Sequence, residues 1–358
     1  MSEPASRGLS TAARFTEHPV ADVATAARLA EAIPAQPDVL AWMKGRHILS
    51  ARDLEPEVLL QVLRLAAHYE AQGRPDTCPL GGRILSSVFV RGALSQTRLS
   101  FASAWLRLGG NILDFEESPA RPNGDHYGPD ELAELCSNYG DIAVLRTADS
   151  ESLGAMVDYF RVPVINAGNG DDEHPTNAMA DLYTILKWRP DLLSAQPDRP
   201  LTIAISGDPA RTRTIRSFLL LLSKFPQMVE RVLVMDRLSQ PFTPGQREVL
   251  EDVGIKVELV AETFPNETIL GGFKLVLPVT DVIYVHQIRA TRAPRMSFIE
   301  GMAFVRPQTM VLCPELPGQV FGDYLNHSSH NAYFAQARGA NYVRMALFCS
   351  IMGKLSHP

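Results

Sequence analysis

Short apolar runs, each followed by a stretch with apolar residues at helical spacing, recur through this chain and commit it to a parallel α/β architecture. A strand that returns to its sheet through a helix lies parallel to its predecessor, and such crossovers are right-handed almost without exception. One series comprises Ile84 to Val90, Asn111 to Phe115, Ile142 to Arg146 and Pro163 to Asn166. Helices are expected between them near Thr97 to Leu108, Asp130 to Tyr139 and Ser152 to Phe160. A helix from Pro175 to Trp188 and the segment PDLLSAQPDRP close this series. The second comprises runs near Thr202 to Ser206, Arg231 to Met235, Lys256 to Val260, Val282 to Val285 and Met310 to Cys313. The pattern predicts an α/β fold of two doubly wound parallel-sheet domains. A long final helix, near Asn331 to Met352, crosses back onto the first.

At 358 residues the chain exceeds the usual size of one core, in keeping with that division. Residues 1–40, rich in Ala, Pro and Glu, are expected to form an extension outside the core, with a short helix from Val20 to Ala32. Residues 41–188 form the first domain, opened by a packing helix in SARDLEPEVLLQVLRLAAHYEA. Residues 189–328 form the second, and 329–358 the returning helix.

Composition excludes several functions. The net charge of −6, with no basic run interleaved with aromatics, argues against a nucleic-acid surface. Cys78, Cys136, Cys313 and Cys349 lie far apart without metal-ligand spacing, so no metal is expected and the thiols read as reduced. No apolar stretch reaches the ~20 residues that span a bilayer, and the N-terminus lacks a signal-peptide core. A cytoplasmic protein with no membrane partner is expected.

In an open parallel sheet, ligands bind in the crevice beyond the carboxyl ends of the strands. Here those ends are polar: the first run enters RGALSQTRLSF, Ile142 to Leu145 ends on Arg146, Leu201 to Ser206 enters GDPARTRTIRS, and Val282 to Val285 enters HQIRATR. After Pro163 to Ile165 comes AGNGDDEHPTNAMADLYTIL, which sets His174 at a helix start, just before Pro175 at a favoured first-turn position. Arg98, Arg146, His174, Arg213 and Arg289 would therefore converge. Guanidinium forks and outward-pointing first-turn amides suit a phosphate or a carboxylate. A histidine at such a place is equally explained as an incidental capping residue. Although GNG and GDPARTR follow strands, no GxGxxG, GKS or GKT occurs, so the cradle for a nucleotide pyrophosphate is missing.

In order and spacing, SQTRLSF, HPT, GDPARTRTIRS, DVIYVHQIRATR and YVRMAL resemble the aspartate and ornithine carbamoyltransferase family, over about residues 45 to 355. DVIYVHQIRATR and ARGANYVRMAL look nearer the aspartate branch. The resemblance implies a carbamoyl-phosphate lobe followed by an amino-acid lobe, and transfer of a carbamoyl group from carbamoyl phosphate to the amine of an aspartate-like or modified acceptor. It implies no cofactor, and a homotrimer, or a multiple of one, with shared active sites. Carried over by motif, Ser95 and Thr97 donate to phosphate oxygens from the turn that also holds Gln96 and Arg98. Arg146 binds the phosphate or the carbonyl, His174 the carbonyl oxygen and Asn177 the carbamoyl amide, while Leu316 and Pro317 lend backbone carbonyls to the carbamoyl nitrogen. Arg213, Gln287 and Arg289 face the acceptor. His174, Arg146 and Thr97 form the catalytic set.

The chain departs from the family pattern in places that matter. STRTR becomes LSQTR, so Gln96 stands where the first arginine would be and Leu94 replaces a hydroxyl. Gln287 stands where the aspartate branch has arginine. HPLP becomes PELP, which brings in Glu315. The loop EESPARPNGDHYGPDE lacks the lysine a neighbouring subunit supplies in that branch, and offers only Arg121 and His126 among acidic residues. Arg91 or Arg121 could supply the missing charge. Three readings stay open: ordinary carbamoylation of aspartate, carbamoyl transfer to a different or modified acceptor, or an impaired aspartate carbamoyltransferase paralogue serving as a non-catalytic or regulatory subunit.

Overall fold

In the computed structural model, residues 16–73, 78–89, 96–115, 127–235, 241–263, 269–286, 298–315 and 319–355 are described. The first sheet contains β1 (Ile84–Phe89), β2 (Asn111–Phe115), β3 (Ile142–Thr147) and β4 (Val164–Asn169), all parallel, in the order β2-β1-β3-β4. The second contains β5 (Leu201–Ser206), β6 (Val229–Val234), β7 (Lys256–Leu259), β8 (Val282–Val285) and β9 (Met310–Leu312), in the order β7-β6-β5-β8-β9. Helices cover both faces of a parallel sheet, so its inner strands read as nearly unbroken apolar runs, and β5 is buried along its whole length. Edge strand β2 is half-exposed and carries Asp114. In each sheet the strand order reverses beside the central strand, next to β1 in one and β5 in the other. These reversals open the crevices in which the polar strand ends meet.

The helices are α1 (Val23–Ala32), α2 (Pro37–Ala41), α3 (Pro56–Gln72), α4 (Gln96–Arg107), α5 (Pro129–Tyr139), α6 (Ser150–Val157), α7 (Pro175–Trp188) and α8 (Arg213–Leu222), followed by shorter helices, among them Ile269–Val276 and Gln319–Leu325, and a long C-terminal helix, Tyr333–Ile351. That last helix packs on α3, α4 and α7 of the first lobe. Trp105 of α4 meets Phe348 edge-on, with ring centroids 4.8 Å apart. α7 lies between the lobes and is buried along almost its entire length. Its far end is tied to α3 by Glu70, which accepts from Lys187 Nζ and from the Tyr183 hydroxyl, each at 2.6 Å.

Residues 16–33 correct the expectation of an extension outside the core. Ala26 and Leu29 of α1, with Ile33 just past its end, are buried, and α1 packs on α3, because that spacing makes an apolar stripe with a partner to cover it. Asp22 caps the helix by accepting from the Ala24 amide at 2.9 Å. Upstream, the His18 amide donates to the Asn331 carbonyl at 2.8 Å, which fastens the segment beside the C-terminal helix. Residues 1–15 lie outside the described residues.

The aromatic contact between Trp105 and Phe348 joins α4 to the C-terminal helix. Phe348→Ala is expected to lower stability by about 3–5 kcal/mol, as for other fully buried Phe truncations. Urea denaturation followed by circular dichroism measures it, and a loss below about 1 kcal/mol would show that the returning helix is not anchored there.

Candidate active site

α7 begins where β4 ends. After Asn169 the chain turns through Gly170, and the Asn169 side-chain oxygen accepts the Glu173 amide at 3.0 Å. Glu173 is buried, and its carboxylate accepts from Ser50 Oγ at 2.7 Å, the Ala51 amide at 2.8 Å and Arg52 Nη1 at 3.1 Å. The His174 amide donates to Ser217 Oγ of α8 at 2.8 Å. His174 is therefore placed by both lobes.

Its ring does not cap the helix. Nε2 lies 3.4 Å from Thr97 Oγ1, in the first turn of α4, and Nδ1 finds no hydrogen-bond partner among the described residues. Burial holds the imidazole pKa well below its usual value, and the neighbouring charges of Arg213, Arg344 and Arg146 lower it further. At neutral pH His174 is uncharged, with one ring nitrogen able to donate and the other to accept. A buried, uncapped imidazole with a vacant polar atom is the arrangement expected for a ligand-facing group.

Arg146 is the last residue but one of β3, and Arg213 begins α8 from the other lobe. Burial lowers the Arg146 pKa, Arg213 adds to the effect, and Glu315 opposes it. Arg213 Nη1 donates to the Gly170 carbonyl at 2.7 Å, and its buried Nε has no partner among the described residues. The β3–β4 register shifts between Leu145 and Thr147, with an extra residue on β4 beside Arg146. Gly168, at φ +115°, lies in that irregularity, and a Cβ there would fall 3.1 Å from Arg213 Nε and 3.5 Å from His174 Cδ2. Only glycine allows this backbone and this approach together.

The other predicted residues divide as follows. Gln96 and Thr97 line a small cavity of about 30 Å³ together with Asn177, Cys313, Gln336 and Arg344. The Gln96 side chain faces the Tyr333 hydroxyl across that cavity and opposes the rise that burial causes in its pKa. Arg98, on the same turn, forms an ion pair with Asp114 of β2. A second cleft of about 280 Å³ is lined by Asp171, Asp208, Arg211, Arg213, His286 and Glu315. There His286 Nε2 stands 3.9 Å from Glu315, yet burial keeps its pKa below the usual value. Ser95, Gln287, Arg289, Leu316 and Pro317 lie outside the described residues, as do Arg91, Arg121 and His126. Among the described residues no cluster of His, Cys, Asp or Glu is placed to hold a metal ion.

Sequence reasoning missed the layer beneath. Asp181, one turn along α7 from Asn177, is fully buried. It accepts from Asn177 Nδ2 at 3.1 Å, from the Tyr284 hydroxyl of β8 at 2.9 Å, and from Gln336 of the C-terminal helix. Burial pushes its carboxyl up to about 7 against these bonds and the charge of Arg344. Arg344 is itself buried, donates to Ser100 and lies over the Phe101 ring at 4.6 Å; burial brings its pKa down to about 9. A charged residue on the apolar face of a helix was the available signal, since aspartate is almost never fully buried unless partnered.

This arrangement defines a two-lobed α/β protein built to hold anions in an interlobe crevice. A family model for the aspartate/ornithine carbamoyltransferase carbamoyl-P binding domain matches residues 46–187. The aspartate carbamoyltransferase catalytic subunit of Dichelobacter nodosus is 30% identical over 327 residues, covering 86% of this chain and 90% of that protein. That of Alkaliphilus oremlandii is 26% identical over 325 residues, covering 87% and 92%. Among solved structures, Trypanosoma cruzi aspartate transcarbamoylase in complex with N-(phosphonacetyl)-L-aspartic acid has a similar fold, with TM-score 0.71 at 23% identity, covering 89% of this chain and 99% of that one. Its complex with aspartate and phosphate gives TM-score 0.72 at 24% identity, with the same coverage. The chain belongs to the aspartate/ornithine carbamoyltransferase family, on its aspartate branch.

Gly168→Ala is expected to push Arg213 and His174 apart and to weaken phosphate binding about tenfold, from a backbone strain of about 1–3 kcal/mol. Calorimetric titration with inorganic phosphate measures the effect. Unchanged affinity would mean that the Gly168 approach does not set the spacing of Arg213 and His174.

Proposed function

We propose that this protein transfers the carbamoyl group of carbamoyl phosphate to the amine of an aspartate-like acceptor. The observation that carries the proposal is the meeting of a neutral, uncapped His174 with Thr97 beside Arg146 and Arg213, arginines contributed by opposite lobes. In such a reaction the acceptor nitrogen attacks the carbamoyl carbon, negative charge gathers on the carbonyl oxygen, and the bond to the phosphate oxygen then breaks. The amine proton leaves with the phosphate. Donors fixed in advance around that oxygen stabilise the intermediate without reorganising. His174 and Arg146 are those donors in this proposal, with Thr97 on the phosphate. Because His174 is uncharged, it donates a hydrogen bond and has no proton to lose to the departing phosphate.

Arg213 lines the larger cleft, so we assign it the acceptor's carboxylate. Asp171, Asp208 and Glu315 line the same cleft, which favours an acceptor whose amine enters there as a cation before it deprotonates. Gln96 takes the place of an arginine, and it faces Tyr333 of the C-terminal helix. The proposal includes Ser95, Leu316 and Pro317 on the donor, Gln287 and Arg289 on the acceptor, and a cytoplasmic trimer. No helix among the described residues is long and apolar enough to cross a membrane.

Arg146→Ala should abolish binding of carbamoyl phosphate, whereas Arg213→Ala should spare it and raise the KM for the acceptor at least tenfold, as loss of a charge-assisted bond does. Steady-state assay of carbamoyl-aspartate formation and titration of each variant test this. Equal loss of donor binding in both would sink the division. Light scattering should give three times the chain mass of 39.4 kDa, or a multiple. A monomer at micromolar concentration would contradict the shared-site assembly.

A further inference from the structure

We infer that Asp181 is a positioning residue: it turns the amide of Asn177 so that its oxygen faces the donor cavity, and thereby makes the pocket select a carbamoyl group over an isosteric acyl group. The inference rests on the proposal that carbamoyl phosphate binds against Thr97, with its carbamoyl end at this cavity. The geometry is specific. Asn177 Nδ2 lies 3.1 Å from one oxygen of Asp181 and 3.4 Å from the other. An ionised carboxylate only accepts, so the NH₂ end of Asn177 must face it and the carbonyl end is left for the cavity that Asn177 lines. The carbamoyl NH₂ has only donors to offer and matches that oxygen. A methyl in its place would leave the oxygen unpaired in a closed site.

The surroundings of Asp181 enforce this orientation. The Gln336 side-chain oxygen accepts the Cys313 amide at 3.1 Å, so the NH₂ of Gln336 is the end that reaches Asp181. The Tyr284 hydroxyl donates to it at 2.9 Å. All three partners, from α7, β8 and the C-terminal helix, present donors. Protonating Asp181 turns one of its oxygens into a donor, and Asn177 can then turn over to accept from it, which presents NH₂ to the cavity. Gln336 is held by Cys313 and cannot follow.

Asp181 titrates near neutrality, its carboxyl pushed up to about 7. The groups facing it do not titrate there. Burial raises the pKa values of Tyr284 and Cys313, Arg344 is brought down only to about 9, and His174 is held well below its usual value. The sign follows: the amide-selecting orientation is present above the Asp181 pKa and is lost as pH falls through it.

The test compares phosphonoacetamide with 2-oxopropylphosphonate, in which a methyl replaces the NH₂, by calorimetric titration of the full chain. Their ratio of affinities cancels the titration of the phosphonate itself. Wild type should prefer the amide about tenfold near pH 8, and the preference should shrink to about twofold or less near pH 6. Asp181→Asn, which can offer an NH₂ of its own to Asn177, should show a preference of about twofold or less at both values. A wild-type preference that does not change with pH, or a variant preference equal to that of wild type, would overturn the inference. If the variant fails to fold, the wild-type pH series decides alone. Failure of wild type to bind either phosphonate would instead overturn the donor proposal, and this inference with it.

Discussion

The buried carboxylate of Glu173 is the fixed point of the crevice. It gathers donors from Ser50, Ala51 and Arg52 on the first lobe, and the Ser217 hydroxyl of the second lobe donates to it at 3.3 Å while accepting the His174 amide. One hydroxyl thus links the acid that pins the helix start to the backbone of the ligand-facing histidine. A buried carboxylate is tolerated only when its lone pairs are met, and here they are met from both sides of the crevice. The lobes cannot separate at this point without exposing unpaired donors and acceptors. His174, Arg213 and the Gly168 approach all take their positions from it.

Around that point the electrostatics are deliberately unbalanced. Arg146, Arg213 and Arg344 all depress the His174 pKa, and Arg213 also depresses that of Arg146. Arg213 therefore disfavours the charge on Arg146, and an anion between them relieves the repulsion. The chain as a whole carries a net charge of −6, so the positive potential is local and the crevice walls concentrate it. Arg344 lies beneath them: its charge opposes the rise in the Asp181 pKa, and Asp181 in turn opposes the fall in the Arg344 pKa.

Much of this was legible in advance. β2, β8 and α7 occur over the residues that the hydrophobic pattern delimits, and the other strands differ by a few residues at their ends. Arg146 and Arg213 were singled out from the carboxyl ends of β3 and β5, because each parallel sheet sends its carboxyl ends to one edge. His174 stayed ambiguous, since capping and ligand-facing histidines share one local sequence; only the direction of the ring decides. α1 was misjudged because a short, Ala-rich segment carries a weak apolar stripe, and its burial depends on α3 being there to receive it. Asp181 was passed over as one polar residue in an apolar helix.

The sequence by itself determined the order of strands and helices, the division into two sheets and the motifs that mark the family. These follow from local spacing and from the handedness of crossovers, which need no knowledge of distant neighbours. Tertiary structure alone decided which polar atoms remain without partners, which acids are buried and which amide faces which way. Such properties depend on groups that meet across more than a hundred residues of chain, as when Asp181 meets Tyr284 and Gln336. The chemistry of the crevice lies in those meetings, because a burial that shifts a carboxyl pKa to about 7 exists only when several elements close over it together.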